Sequence, residues 1–202
     1  FFVGVTQSPL RSGFADAPSR GPGDVALYRA EVDRIRGGQS YYEAAAEDCR
    51  KGLEFDQEDK TLMQNLALSQ LYAKQYDEAE KTLRELIKRS PNYVYAYMIS
   101  GQLKVEKGDT LGAVEEFSRA VASDRHFAPA YAARAYVYLL KEDYRNALPD
   151  LDEAIRLDPE VPGYYINRGL TRYNLNDLRG ALDDLDRVIS LDPNNELAYF
   201  NR

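Results

Sequence analysis

Residues 128–161 read APAYAARAYVYLLKEDYRNALPDLDEAIRLDPEV, and residues 162–195 read PGYYINRGLTRYNLNDLRGALDDLDRVISLDPNN. The two stretches align without a gap. They share an alanine at position 20, a leucine at position 24 and an Asp-Pro pair at positions 31 and 32. A constant interval of 34 residues is typical of a chain built from repeated supersecondary elements. Each residue therefore has an equivalent at the same position of every repeat.

The same interval extends toward the N-terminus. Alanine recurs at position 20 of five consecutive repeats, as Ala45, Ala79, Ala113, Ala147 and Ala181. The repeats are 26–59, 60–93, 94–127, 128–161 and 162–195, and a partial sixth is 196–202. No insertion or deletion separates them, so we expect one architecture for all five.

Each repeat contains two segments with the apolar spacing of a helix. Positions 20, 24 and 27 form one apolar stripe, and position 8 is small in four of five repeats, as expected where two helices approach closely. Proline at position 32 of three repeats stops a helix, and polar pairs such as Glu142-Asp143 suit a tight turn and a helix cap. We predict helices at about positions 2–14 and 18–30, with at most a local distortion at Pro149.

These features resemble the tetratricopeptide repeat (TPR) family, and Asn167-Arg168-Gly169 resembles a variant common among its bacterial members. The residues that fall on the family pattern in the fourth repeat are Tyr131, Ala135, Tyr138, Tyr144, Ala147, Leu151, Ala154 and Pro159. The resemblance implies an all-α fold, a right-handed superhelix of five helical hairpins plus the start of a sixth. The resemblance covers residues 26–202, which we expect to form a TPR solenoid. Residues 1–25, which glycine and proline interrupt, are expected to form a separate non-repeat segment.

Composition excludes several classes of partner. The 202 residues are 44% apolar and 29% charged, with a formal net charge of −7 that repels a phosphate backbone, so we expect no nucleic acid partner. No apolar run approaches the roughly 18 residues that span a bilayer, so we expect no membrane insertion. The compartment stays open: cytoplasmic or, if a signal peptide was removed, periplasmic or cell envelope.

Few residues are candidates for chemistry. Cys49 lies on the apolar stripe and is expected to be buried, while His126 lies in the turn between two repeats. The acidic sets at 150–153 and 183–186 have arginines four residues after Asp152 and Asp183, which favours solvated helix faces over a cation site. We therefore expect no catalytic site, metal or cofactor.

The side of each first helix that faces away from its hairpin partner comprises positions 2, 5, 9, 12 and 13, and we call it the inner face. It is largely apolar and rich in tyrosine, which indicates an interaction site. The candidate binding residues are Gln64, Leu68, Tyr72, Tyr95, Met98, Gln102, Tyr136, Ile166, Leu170 and Tyr173. In the alternative interpretation, many of these side chains pack between neighbouring first helices and only their edges reach solvent.

Some TPR family members bind a chaperone's terminal carboxylate with Lys and Asn at positions 5 and 9 of one repeat, a pair that is absent here. A partner that inserts apolar side chains is therefore favoured. We predict a non-catalytic scaffold that binds a peptide or protein segment in its concave groove. The alternative is a self-associating structural module in a larger assembly, which leaves a homodimer open.

Overall fold

The computed structural model describes residues 38–202, and this part of the chain contains ten helices and no strand. The helices are α1 (Gln39–Phe55), α2 (Lys60–Tyr72), α3 (Tyr76–Arg89), α4 (Val94–Glu106), α5 (Thr110–Ser123), α6 (Ala128–Leu140), α7 (Tyr144–Leu157), α8 (Pro162–Asn174), α9 (Leu178–Leu191) and α10 (Glu196–Asn201). The predicted all-α class is confirmed. The predicted segment 1–25 and most of the first helix of repeat 26–59 lie outside the described residues.

The described residues form two compact units, 38–109 and 110–202, which we call the first and second unit. In the first unit α1 packs on α2, α2 on α3 and α3 on α4, while in the second unit each helix from α5 to α10 packs on the next. In addition, α2 contacts α4 and α6 contacts α8. Within each unit, first helices of adjacent repeats are therefore neighbours, as α2 is of α4 and α6 is of α8.

The helices begin slightly earlier than the sequence pattern predicts. In the second to fifth repeats they occupy positions 1–13 and 17–30, so each starts one residue before its expected position. Helix α1 differs more, because it begins at Gln39 and not near residue 43. The Gln39 amide donates to Glu43 Oε1 and to the Ala73 carbonyl, each at 2.8 Å, and these bonds hold the additional turn.

The turn inside each hairpin depends on one backbone conformation. Position 15 has a positive φ in four repeats, at Lys74 (58°), Gly108 (75°), Glu142 (56°) and Asn176 (66°). A left-handed residue ends the first helix, although only glycine adopts this conformation without steric cost. The next position then caps the second helix: Asp143 Oδ1 accepts from Asn146 N–H at 3.3 Å, and Asp177 Oδ1 from Gly180 N–H at 2.9 Å.

The predicted apolar stripe forms the contact between the helices. Ala147 and Leu151 of α7 are fully buried against Ala135 of α6, and Cys49 is fully buried against α2, as predicted. Helix α7 continues through Pro149 without a break, which confirms that this proline is tolerated. The stripe packs against one side of each first helix, which is therefore buried. The opposite side, the inner face, does not contact the hairpin partner.

Candidate protein-interaction face

Small residues at position 8 fix which side of each first helix is buried. Ala67 and Ala135 are fully buried, and Gly169 is buried as well. A Cβ atom at Gly169 would lie 3.4 Å from the Ala181 carbonyl oxygen and 3.5 Å from Asp184 Cβ, so α8 and α9 approach closely there. Since this side contacts the hairpin partner, the inner face lies on the other side of the helix.

The inner face of the second unit exposes large apolar side chains. Leu170 is 51% exposed and Tyr173 is 63% exposed, whereas the predicted residues Tyr136 and Ile166 are half-buried. Equivalent positions of α6 and α10 add Leu140, Leu197 and Phe200, all exposed. These five are among twelve exposed large apolar side chains of residues 38–202, and the other seven lie outside the inner-face positions.

The inner face of the first unit is more strongly engaged within the protein. Gln64, Leu68, Tyr72, Tyr95 and Gln102 are half-buried. Met98 is only 7% exposed, so a partner would reach no more than its edge.

Aromatic contacts account for part of this burial. The Tyr93 hydroxyl donates to Gln64 Oε1, and the rings of Tyr93 and Tyr95 have centroids 5.6 Å apart. Burial raises the pKa of Tyr93 to about 12. Tyr72 packs on Tyr42, with 5.2 Å between ring centroids. For these side chains, packing within the unit competes with exposure to a partner.

The inner face carries almost no charge. Its positions in α6 and α8 hold no acidic or basic residue, and Glu106 is the one charged inner-face residue of α2 and α4. The face therefore offers a partner apolar contact, tyrosine hydroxyls and amide groups. A charged side chain that entered it would lose hydration without gaining an ion pair.

A network that the sequence analysis missed connects helices on the buried side. Arg134, at position 7, donates from Nε and Nη2 to Asp150 Oδ2 and Oδ1 at 2.8 and 2.7 Å. Its Nη1 donates to Ser118 Oγ of the preceding repeat at 3.0 Å. The hydrogen bond to Asp150 raises the pKa of Arg134, which keeps the guanidinium charged.

The same contacts recur one repeat later. Arg168 donates to Asp184 Oδ1 at 2.6 Å and to Asp152 Oδ1 of the preceding repeat at 2.8 Å, and it lies 5.5 Å from the centre of the Tyr165 ring. Arg202 is at the same position of the sixth repeat and contacts Asp186 at 2.9 Å. The residue at position 7 therefore contacts the residue at position 25 of the previous repeat at three consecutive junctions between repeats. Arginine at position 7 with aspartate at position 23 was the sequence signal for this network.

The prediction that the acidic sets are solvated helix faces was wrong for two members. Asp150 and Asp184 are 6% and 2% exposed, because arginines from the preceding helix cover them. The expected ion pairs of Asp152 with Arg156 and of Asp183 with Arg187 do not form either. Arg156 contacts Glu153 instead, and Arg187 contacts Glu160. Asp150 and Asp184 therefore connect neighbouring helices through ion pairs with Arg134 and Arg168.

The histidine named in the sequence analysis lies in the turn between two repeats, as predicted. His126 is an exposed residue between α5 and α6. Residues 38–202 contain no group of three or more His, Cys, Asp or Glu side chains placed to hold a metal ion. None of the described helices has the length and apolar character needed to cross a membrane.

Helical hairpins in series, with a closely packed buried side and an exposed apolar inner face, define a helical-repeat protein. Residues 65–132 and 135–200 each match the tetratricopeptide repeat family, and the chain belongs to that family. No curated protein sequence matches it.

Solved structures support the same fold. TTC0263, a thermophilic TPR protein of Thermus thermophilus, is 19% identical, with a TM-score of 0.68 over 87% of this chain and 96% of its own. YrrB, described as a TPR protein with an unusual peptide-binding site, is also 19% identical, with a TM-score of 0.64 over 87% and 89%. The first TPR of Spaghetti (RPAP3), bound to the HSP90 peptide SRMEEVD, is 24% identical, with a TM-score of 0.51 over 54% and 88%.

Proposed function

We propose that this chain is a non-catalytic scaffold that binds a peptide or protein segment on the inner faces of its first helices. The observation that carries the proposal is the group of exposed apolar side chains at inner-face positions of α6, α8 and α10, with Tyr173 and Phe200 the most exposed. Such patches are uncommon on the surface of a protein that acts alone. Tyrosine adds contact area at low entropic cost and a hydroxyl for a partner's backbone.

The family and its solved members agree with this role. YrrB has a peptide-binding site, and the first TPR of Spaghetti was solved with a bound peptide, so the hairpin repeat is suited to peptide binding. That bound peptide, SRMEEVD, is acidic. The inner face of the present chain has no lysine or arginine in α2, α4, α6 or α8 that could meet such charges, so a different class of segment is expected here.

The test is selection of a displayed library of random 12-residue peptides on the protein, followed by affinity measurements with the selected peptides. We expect Tyr136→Ala with Tyr173→Ala to weaken binding by roughly 30-fold or more, because truncation of central interface tyrosines commonly costs about 2 kcal/mol. Fluorescence anisotropy gives the affinity. Circular dichroism should give an unchanged helical signal and melting cooperativity.

A matched control removes two exposed apolar side chains that lie off the inner face, Phe55→Ala with Leu111→Ala. Binding should change by less than about twofold in that variant. Equal affinity of the wild type and the folded tyrosine variant would refute the proposed site, and failure of the selection to enrich any peptide would count against peptide binding itself.

Self-association is the second candidate, because α10 also exposes Leu197, Tyr199 and Phe200. An apolar surface of this kind can be covered by another copy of the chain. Sedimentation velocity over a concentration series distinguishes the two functions. A dimer that Phe200→Ser dissociates would favour self-association, and a monomer at all concentrations would exclude it.

A further inference from the structure

Carboxylates border the inner face of the second unit on one side. The loop before α8 contains Asp158 and Glu160, and the residues around the start of α10 include Asp192 and Glu196. Glu160 contacts Arg187 at 3.3 Å, whereas Asp158, Asp192 and Glu196 form no ion pair with any residue in the described range. The loops before α8 and α10 therefore carry negative charge that the protein itself does not neutralise, whereas the loop before α6 holds one acidic and one basic residue, Asp124 and Arg125.

These carboxylates lie close to the apolar residues of the first turns of α8 and α10. The half-buried Ile166 is four residues beyond the start of α8, and the exposed Phe200 is four residues beyond Glu196 at the start of α10. With a rise of about 1.5 Å per residue, each lies roughly 6 Å along its helix from the acidic end. That separation is shorter than the Debye length of about 8 Å at physiological ionic strength, so the negative potential reaches the part of a bound segment that lies at this end of the face.

The whole second unit has the same sign of charge. Residues 110–202 contain 16 acidic and 11 basic side chains. Two of the acidic ones, Asp150 and Asp184, are already neutralised by buried arginines. The remaining excess is at the surface, where it attracts cations and repels acidic segments during association.

We infer that the bound segment is cationic and amphipathic: uncharged apolar anchors that contact the inner face, flanked on one side by lysine or arginine that meets the acidic border. This inference rests on the proposed function and specifies the class of partner. The uncharged face selects the anchors, because a charged anchor would be desolvated without a partner. The acidic border selects the flank and disfavours an acidic terminal peptide.

Peptides selected from the random library should combine large apolar residues with an excess of lysine and arginine. For the tightest of them, replacing its basic residues with glutamate should weaken binding at least tenfold at 50 mM NaCl. The same peptide with glutamine in place of its basic residues should have an affinity between those of the original peptide and the glutamate variant. The differences in affinity among the three peptides should shrink at 500 mM NaCl.

The protein side is tested with Asp158→Asn and Glu196→Gln together. Asparagine at 158 keeps an oxygen for the hydrogen bond that Asp158 accepts from Glu160 N–H, so the loop should be preserved. We expect a three- to tenfold loss of affinity at 50 mM NaCl. The control, Asp183→Asn with Glu54→Gln, removes one exposed charge from α9 and one from α1 of the first unit, and it should change affinity by less than twofold.

The outcomes separate the inference from the proposed function. Peptides without a basic excess, or equal affinity for the border variant and the wild type, would overturn the inference. If those peptides still lost affinity with Tyr136→Ala and Tyr173→Ala, the proposed function would stand. If binding instead survived the tyrosine variant, or no peptide were selected, both would fail.

Discussion

At the scale of the residue, the arginine at position 7 has the largest number of defined contacts. Arg134 and Arg168 each bind a carboxylate of their own repeat and a side chain of the preceding one. Tyrosines at position 4 add a second connection across the same junctions, since Tyr165 OH donates to the Pro159 carbonyl at 3.0 Å and Tyr131 OH to the Arg125 carbonyl at 3.3 Å. Junctions between repeats are thus held by polar bonds as well as by apolar packing.

The Arg134–Asp150 pair gives a prediction at this scale. Arg134→Leu should lower the free energy of unfolding by about 3 kcal/mol, because it leaves the buried Asp150 carboxylate without its cation. Urea unfolding followed by circular dichroism measures the change. The double variant Arg134→Leu with Asp150→Leu should recover most of the loss. A double variant as unstable as the single one would show that packing, and not the unpaired charge, causes the effect.

The sequence predicted some residues and not others for a physical reason. Cys49 and Ala147 were assigned to the core because the spacing of one helix suffices to identify a buried stripe. Asp150 and Asp184 were assigned to solvent because an arginine on the same helix could pair with their neighbours. Their actual partners lie 16 residues earlier on another helix, and single-helix spacing contains no information about that contact.

At the scale of the element, the ends of the helices were predicted to within one residue for α2–α9, since proline, aspartate and glycine mark them. The left-handed conformation at Lys74 and Glu142 could not be predicted from residue type, because glycine and asparagine are the types that indicate it, as at Gly108 and Asn176. The constant length of the repeat imposes the same turn on all four. The exposed fraction of each inner-face side chain could not be predicted from the sequence either. The sequence pattern did not distinguish the buried Met98 from the exposed Leu170.

Packing within one hairpin gives the prediction for this scale. Ala147→Leu should cost about 1–3 kcal/mol of unfolding free energy, because Ala147 is fully buried between α6 and α7 and has no space for three more carbon atoms. Asp183→Ala, on the exposed side of α9, should remain within about 0.5 kcal/mol of the wild type. Denaturant titration of both variants measures the difference, and equal effects would mean that the buried side has been misassigned.

At the scale of the whole molecule, the two compact units have inner faces of different character. In the first unit, Tyr72 and Tyr95 pack on neighbouring tyrosines and Gln64 accepts from Tyr93, whereas in the second unit apolar side chains are exposed beside acidic loops. Repeats of one architecture therefore carry different surfaces, because the positions that build the hairpin are separate from those that face a partner. Affinity and selectivity can change along the chain while the fold stays the same.

Alkaline stability is a property of the whole molecule that the structure predicts. Burial raises the pKa of Tyr93 and of Tyr164 to about 12, from an ordinary value of 10.0. In the unfolded chain both hydroxyls ionise near pH 10, so the stability that their neutral forms provide is complete below pH 10 and is lost as the pH rises from 10 to 12.

The measurement is urea unfolding at pH 9 and pH 11. Tyr164→Phe should lose less of its stability between the two pH values than the wild type, because phenylalanine cannot ionise and fills the same buried space. Tyr173→Phe, on the exposed inner face, is the control and should follow the wild type. An identical pH dependence for Tyr164→Phe and the wild type would contradict the prediction.

The arginine contacts at position 7 also bear on how such a chain grows. Each arginine needs one acceptor from its own repeat and one from the repeat before it, and both lie 16 residues away in the sequence, as for Arg168 with Asp184 and Asp152. A gene segment of 34 codons that contains positions 7, 23 and 25 therefore supplies every group the network requires wherever the preceding repeat has an acceptor at position 25, as with Ser118, Asp152 and Asp186. Duplication or loss of one such segment leaves all remaining junctions chemically complete, so the array can change its length by recombination without new compensating mutations.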